Sequence, residues 1–164
     1  MTEFREIEGR PFTTDDWATP RVIVDVLDAL GGVALDPCSN PWSIVGAKRT
    51  YSLDRGEDGL VLPWTGPGEG LTYVNPPYSD PGAWMMKAAQ GDGEVILLVN
   101  YDATKAWRDW GWPSDAVTFF FKRLKFIGDK KFQSAKPNAF IYWGDRPEAV
   151  AAATAALGKT WVRP

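Results

Sequence analysis

Residues 71–78 read Leu71-Thr72-Tyr73-Val74-Asn75-Pro76-Pro77-Tyr78, an apolar run that stops at one polar residue and two prolines. The first four have no polar alternation, carry an aromatic and a β-branched residue at the end, and follow Gly70. That pattern predicts a short strand buried on both faces. Proline cannot donate to a ladder, so the strand ends at Val74 and presents Asn75 at its carboxyl end. Asp80-Pro81 then predicts the start of a helix running through Trp84, Met85 and Ala88.

The same reading extends in both directions. Upstream, Thr19-Pro20 reads as an N-cap with proline at the first helical position. Val22, Ile23, Val26, Leu27 and Leu30 follow at helical spacing, and Gly31-Gly32 stops the run. Val33-Ala34-Leu35 is a second short strand, delivering Asp36 at its end. Downstream, 94–99 is a third strand that contains a continuous apolar run, 103–110 reads as helical, and 116–121 and 139–143 are further strands. Asp145 is expected to cap a helix over 146–157, which Gly158 ends. Strands alternating with helices predict an α/β sandwich around a mostly parallel sheet. In such sheets ligands bind at the carboxyl ends of strands. Asp36-Pro37 and Asn75-Pro76-Pro77-Tyr78 both fall there.

Composition narrows the chemistry. The chain has 164 residues, no histidine and one cysteine, Cys38. The length predicts one domain over residues 1–164 with a core that needs no staples. Without histidine, Ser-His-Asp and Cys-His catalysis, HExxH sites and every histidine-bearing zinc site are excluded. A single cysteine makes no internal disulfide. The N-terminus is charged rather than apolar, and the longest apolar stretch, 95–99, is too short for a bilayer. A soluble, cytoplasmic protein with no membrane partner is expected. Its net charge is −3, divided into −5 over residues 1–60 and +2 over 61–164. Lys122, Arg123, Lys125, Lys130, Lys131 and Lys136 face one acid, Asp129, in a local basic segment.

Three imitations are set aside. Gly158-Lys159-Thr160 resembles the end of a phosphate loop, but Ala153 stands at the first glycine position and too little chain follows for a helix. Gly66, Gly68 and Gly70 precede a strand instead of opening a helix. The 54–65 stretch lacks the ligands and closing glutamate of a calcium loop. No metal is expected.

Asn75-Pro76-Pro77-Tyr78 after a buried strand resembles the [D/N/S]-P-P-[Y/F] signature of S-adenosylmethionine-dependent amino-methyltransferases. The wider arrangement resembles the small phage DNA adenine-N6-methyltransferases, a Dam-like family, over roughly residues 15–144. It includes Asp16-Trp17-Ala18-Thr19-Pro20, Leu35-Asp36-Pro37-Cys38-Ser39-Asn40-Pro41, Asp58-Gly59-Leu60, Asn75-Pro76-Pro77-Tyr78-Ser79 and Arg123-Leu124-Lys125-Phe126, in that order.

The resemblance implies a three-layer, Rossmann-like methyltransferase fold and transfer of a methyl group from S-adenosyl-L-methionine to adenine N6 in DNA. An exocyclic amine is a poor nucleophile because its lone pair is delocalised into the ring. Asn75 would accept one of its N–H bonds through the side-chain carbonyl, and Pro76 the other through the main-chain carbonyl. Pro77 would stiffen that carbonyl, and Tyr78 would stack on the base. The partner implied is double-stranded DNA with a flipped-out adenine. No histidine is required, because the proton can leave after methyl transfer.

Cofactor positions follow from the same matches. Trp17, Thr19 and Pro20 match the segment beside the methionine moiety, and Asp36, Pro37 and Cys38 the loop against it. Asp58 and Leu60 match the part at the cofactor adenine, with Asn75 adjacent. Asp54 is the candidate for the ribose hydroxyls. The sequence departs from the glycine-rich DPxxGxG loop at Cys38-Ser39-Asn40-Pro41, where Cys38 is expected as a small packed residue and no nucleophile. There is no room for a separate target-recognition domain, so Lys122, Arg123, Lys125, Lys130, Lys131 and Lys136 are the candidate DNA contacts. If the protein is phage-encoded, its location is the host cytoplasm. Two alternatives stay open on the sequence: the same signature on cytosine N4, RNA or a protein amide, and an inactive methyltransferase-fold module that binds nucleic acid.

Overall fold

The computed structural model describes residues 6–7, 10–11, 13–127 and 133–164. A short hairpin pairs β1 (Glu6–Ile7) with β2 (Arg10–Pro11). The main sheet has seven strands: β3 (Leu35–Asp36), β4 (Arg49–Thr50), β5 (Thr72–Val74), β6 (Val95–Asn100), β7 (Ala116–Phe120), β8 (Asn138–Trp143) and β9 (Gly158–Val162). Their spatial order is β4-β3-β5-β6-β8-β7-β9. From β4 to β6 neighbours are parallel; from β6 to β9 every pairing is antiparallel.

The helices α1 (Arg21–Ala29), α2 (Gly82–Gln90) and α3 (Pro147–Thr154), with a π-helical turn at Trp107–Gly111, cover the sheet. Alternate strand residues choose the face, because successive side chains point opposite ways. Tyr73, Ile96, Leu98, Phe140 and Tyr142 pack with Ile23 and Leu27 of α1 and Val150 of α3. Val74, Val95, Leu97, Val99 and Ile141 pack with Trp84 and Met85 of α2 and with Trp107. Both faces of β6 are therefore buried, which is why its sequence is a continuous apolar run.

Several expectations need correction. The expectation is a mostly parallel sheet; the sheet is parallel from β4 to β6 and antiparallel from β6 to β9. Among the described residues no helix lies between β7 and β8, and strands joined without a helical crossover pair antiparallel. An apolar run reads alike in either arrangement, so the sequence could not separate them. Thr19 caps nothing: Pro20 holds the N-cap position of α1, and the Thr19 hydroxyl instead meets the Tyr73 hydroxyl at 2.8 Å in the core. Asp145 does not cap α3 either, since Arg146 holds that position without a side-chain capping bond. α3 stops at Thr154, and Gly158 opens β9, an edge strand with no counterpart in the expected elements.

The topology fixes where a ligand can sit. The chain leaves β3 for β4 on one side, then returns to β5 on the other. Strand direction out of β3 thus divides, and the crevice beyond the carboxyl ends of β3 and β5 is the open position of such a sheet. Asp36 ends β3, and Asn75 directly follows β5.

Candidate active site

Asp36 is 3% exposed. Burial pushes its carboxyl up to about 7, while the Cys38 amide, 3.1 Å from Oδ1, and the Ser39 hydroxyl hold it below what burial alone would give. The Cys38 thiol is also pushed up, first by burial and then by Asp36 and Asp15, so it stays protonated and unreactive.

A cavity of about 370 Å³ opens beside these strand ends. Its walls come from four parts of the chain: 13–17, 37–42, 51–59 and 75–84. Gly59 makes the third wall possible. A Cβ there would lie 1.9 Å from the Pro37 carbonyl oxygen, so that approach is open to glycine alone. Lys87 of α2 pins the same loop, donating to the carbonyls of Gly59 and Leu60 at 3.0 Å and of Leu62 at 2.5 Å. The Trp64 indole adds a bond to Gly59 at 2.8 Å.

The N-terminal segment closes the other side. Asp15 accepts the Ser79 amide at 3.0 Å and its hydroxyl at 2.7 Å, tying 13–17 to the end of the Asn-Pro-Pro-Tyr loop. Ala18 pairs with Ile127 through two main-chain bonds of 2.8 and 3.0 Å. That pairing brings the 121–127 strap to the cavity. Phe126 stacks on Trp17 with centroids 5.2 Å apart, and Tyr78 sits edge-on to both rings.

Three buried side-chain polar atoms have no hydrogen-bond partner among the described residues: Asn40 Oδ1, Asn75 Oδ1 and the Tyr78 hydroxyl. Asn75 is the informative one. Its Nδ2 donates to the Trp17 carbonyl at 3.2 Å, which fixes the amide and leaves Oδ1 as an unused acceptor. Such an atom costs about 1–3 kcal/mol unless a ligand satisfies it. The Tyr78 phenol is pushed up by burial and remains neutral.

The structure brings together Trp17, Pro37, Cys38, Asp58, Asn75 and Pro77 on the cavity wall, with Asp54. Asp36 lines an adjoining recess of about 360 Å³ that shares Ser39, Asn40, Ser52 and Asp54 with the cavity. Thr19, Pro20 and Pro76 are buried outside it. Leu60 turns to a separate groove with Trp64, Met86 and Lys87. Asp58 uses one carboxylate oxygen on the Leu60 amide, 2.8 Å away. Lys122, Arg123 and Lys125 are exposed on the strap, and Lys136 pairs with Asp102. Lys130 and Lys131 lie outside the described residues.

Sequence reasoning assigned no role to Asp15, Trp42, Glu57, Gly59, Ser79, Trp84 and Lys87 in this site, nor to Asn40. Asp15 and Ser79 are 64 positions apart, and no local pattern connects them. Gly59 lies between Asp58 and Leu60, where the carboxylate is the obvious chemical group and the bare Cα is the feature that lets the loop approach.

A family model for DNA N-6-adenine-methyltransferase (Dam) matches residues 10–141. The chain belongs to that family. It is an enzyme, a methyltransferase that acts on adenine N6 in DNA, which settles the alternatives of another amine substrate and of an inactive module. The matched span contains Asp36, the Asn-Pro-Pro-Tyr loop, the whole cavity wall and the strap. A comparison with curated proteins finds no match. Among the described residues of the methyltransferase, no helix is long and apolar enough to cross a membrane.

Proposed function

We propose that the cavity holds S-adenosyl-L-methionine, and that Asn75 and Pro76 hold the amino group of a flipped-out adenine against it. The observation that carries this reading is the Asn75 amide, with Nδ2 tied to Trp17 and a buried Oδ1 left over. When bound, the cofactor supplies a sulfonium methyl. The residues fit such a group: Asp15, Asp16, Asp54, Glu57 and Asp58 line the cavity, and no Lys or Arg does so among the described residues. An acidic wall suits a cationic sulfonium and disfavours phosphate-bearing cofactors. The volume is within the ordinary range for small-molecule sites, ~300–1,000 Å³.

Asn75 Oδ1 and the Pro76 carbonyl accept hydrogen bonds from the two N6 N–H groups, which draws the lone pair out of ring conjugation. The dipoles are set before the substrate arrives, so no reorganisation is needed as positive charge develops. Pro77 holds the loop, and Tyr78, with Trp17 and Phe126 around it, offers an aromatic face to the extruded base. Trp17, Pro37 and Cys38 line the amino-acid end of the cofactor, with Asp36 in the adjoining recess, and Asp54 and Asp58 line its nucleoside end. Thr19 and Pro20, buried outside the cavity, and Leu60, in a separate groove, are not part of that wall. The sheet with helices on both faces is read as the three-layer, Rossmann-like methyltransferase fold, in one domain that also makes the DNA contacts.

The test is Asn75→Ala, assayed for transfer of labelled methyl groups to duplex DNA. Transfer should fall ~10²–10³-fold, the usual loss for one such polar group. Calorimetric binding of S-adenosylhomocysteine should persist. Undiminished transfer by the variant would overturn the role given to Asn75.

A further inference from the structure

Asn75 has a counterpart in the 37–42 wall of the cavity. The Trp17 carbonyl holds the Asn75 amide nitrogen at 3.2 Å, and the neighbouring Asp16 carbonyl holds the Asn40 amide nitrogen at 3.5 Å. The Trp42 indole donates to that same Asp16 oxygen at 3.0 Å, which fixes its position. Two adjacent main-chain carbonyls thus orient two amides from two different loops. In each amide the Oδ1 is buried and without a partner among the described residues. Both residues line the 370 Å³ cavity. Asn40 alone of the pair also lines the recess that contains Asp36.

We propose that Asn40 is a donor-binding residue, whose Oδ1 accepts a hydrogen bond from the α-ammonium of the methyl donor's amino-acid end. An acceptor-only atom with a fixed orientation calls for an N–H or O–H donor. An ammonium offers three, with full charge, and the bond is of the stronger, charge-assisted kind. The position beside Asp36 favours that cation over the neutral adenine amino group, because one wall then presents a carboxyl and a carbonyl dipole to the same charge. The inference rests on S-adenosylmethionine occupying the cavity.

The experiment is calorimetry with two probes on the full chain. S-adenosylhomocysteine keeps the amino-acid end; 5′-methylthioadenosine keeps the nucleoside and lacks the ammonium. For Asn40→Ala, S-adenosylhomocysteine binding should weaken roughly 10- to 100-fold, in line with a hydrogen bond to a charged group. Methylthioadenosine binding should be unchanged. Asn40→Leu keeps the side-chain volume without the acceptor and should weaken S-adenosylhomocysteine binding as Asn40→Ala does, with methylthioadenosine binding unchanged. This second variant distinguishes a missing hydrogen bond from a disturbed loop, and thermal melts of both variants report on folding. Equal weakening for the two probes, or none for S-adenosylhomocysteine, overturns the assignment of Asn40. Failure of the parent protein to bind S-adenosylhomocysteine overturns the cofactor reading itself.

Discussion

Asp36 is the residue where burial and function pull in opposite directions. Its carboxyl is nearly inaccessible, and its proton affinity is raised to about 7 by desolvation, with the Cys38 and Ser39 donors offsetting part of it. The sign follows from linkage. The unfolded chain ionises this group near 3.8, so between about 4 and 7 the native state binds more protons. Stability from this group is therefore lost as pH rises across that window. The ionised form is also the one that attracts a cation. We expect Asp36→Asn to melt at higher temperature than the parent at pH 7.5, with a smaller difference near pH 4. S-adenosylhomocysteine binding should strengthen for the parent between pH 6 and 8 and stay flat for the variant after correction for the ligand's own titration. Calorimetry and thermal melts across that range test both. A parent protein whose melting temperature does not fall from pH 4 to 7 relative to the variant would contradict the assignment. The unpartnered atoms of Asn40 and Asn75 follow the same logic: a polar group left short in the free protein becomes a place for a ligand.

At the scale of the elements, the site depends on how closely two loops approach. Residues 57–62 lie on 37–38 because Gly59 has no side chain, and Lys87 reaches from α2 to hold the loop there. Gly59→Ala places a Cβ 1.9 Å from a main-chain oxygen, which no rotamer relieves. The loop must move outward, taking Asp58 with it. A loss of about 1–3 kcal/mol of stability is expected, as for other overpacked sites. S-adenosylhomocysteine affinity should fall in parallel, and unaltered melting and binding would refute the close-approach argument. The strands that carry the site were legible because buried strands are short apolar runs. Val74 before Asn75, and Leu35 before Asp36, mark their ends by a switch to polar residues and proline. What was not legible depended on distance in sequence: the Asp15–Ser79 tie, the Ala18–Ile127 pairing and the passage of Lys87 beneath its loop. Nor could side-chain direction be read, which is why Thr19 looked like a cap and proved to face Tyr73.

Across the whole molecule, charge is divided in a way the net value of −3 hides. The cavity is acidic, and the strap that leaves β7 carries Lys122, Arg123 and Lys125 on its exposed side. The same strap buries Leu124 and Phe126 on its inner side. The Leu124 amide bonds to Asn138 Oδ1 at 2.7 Å, and Ser134 and Asn138 both reach Asn100 at the end of β6. The anchored inner side sets Phe126 against Trp17 and Tyr78 and leaves the cations on the exposed side of the strap. Neutralising the outer side should therefore change DNA binding without disturbing the cavity. For Lys122→Gln, Arg123→Gln and Lys125→Gln together, every phosphate no longer neutralised should reduce the slope of log affinity against log salt by about 0.9 on duplex DNA. Because phosphate contacts carry no sequence information, binding should weaken to a similar extent on unrelated duplexes. S-adenosylhomocysteine affinity should be unchanged. Fluorescence anisotropy over a salt series measures the slope, and a triple variant with the parent's slope would move the DNA-binding surface away from this strap.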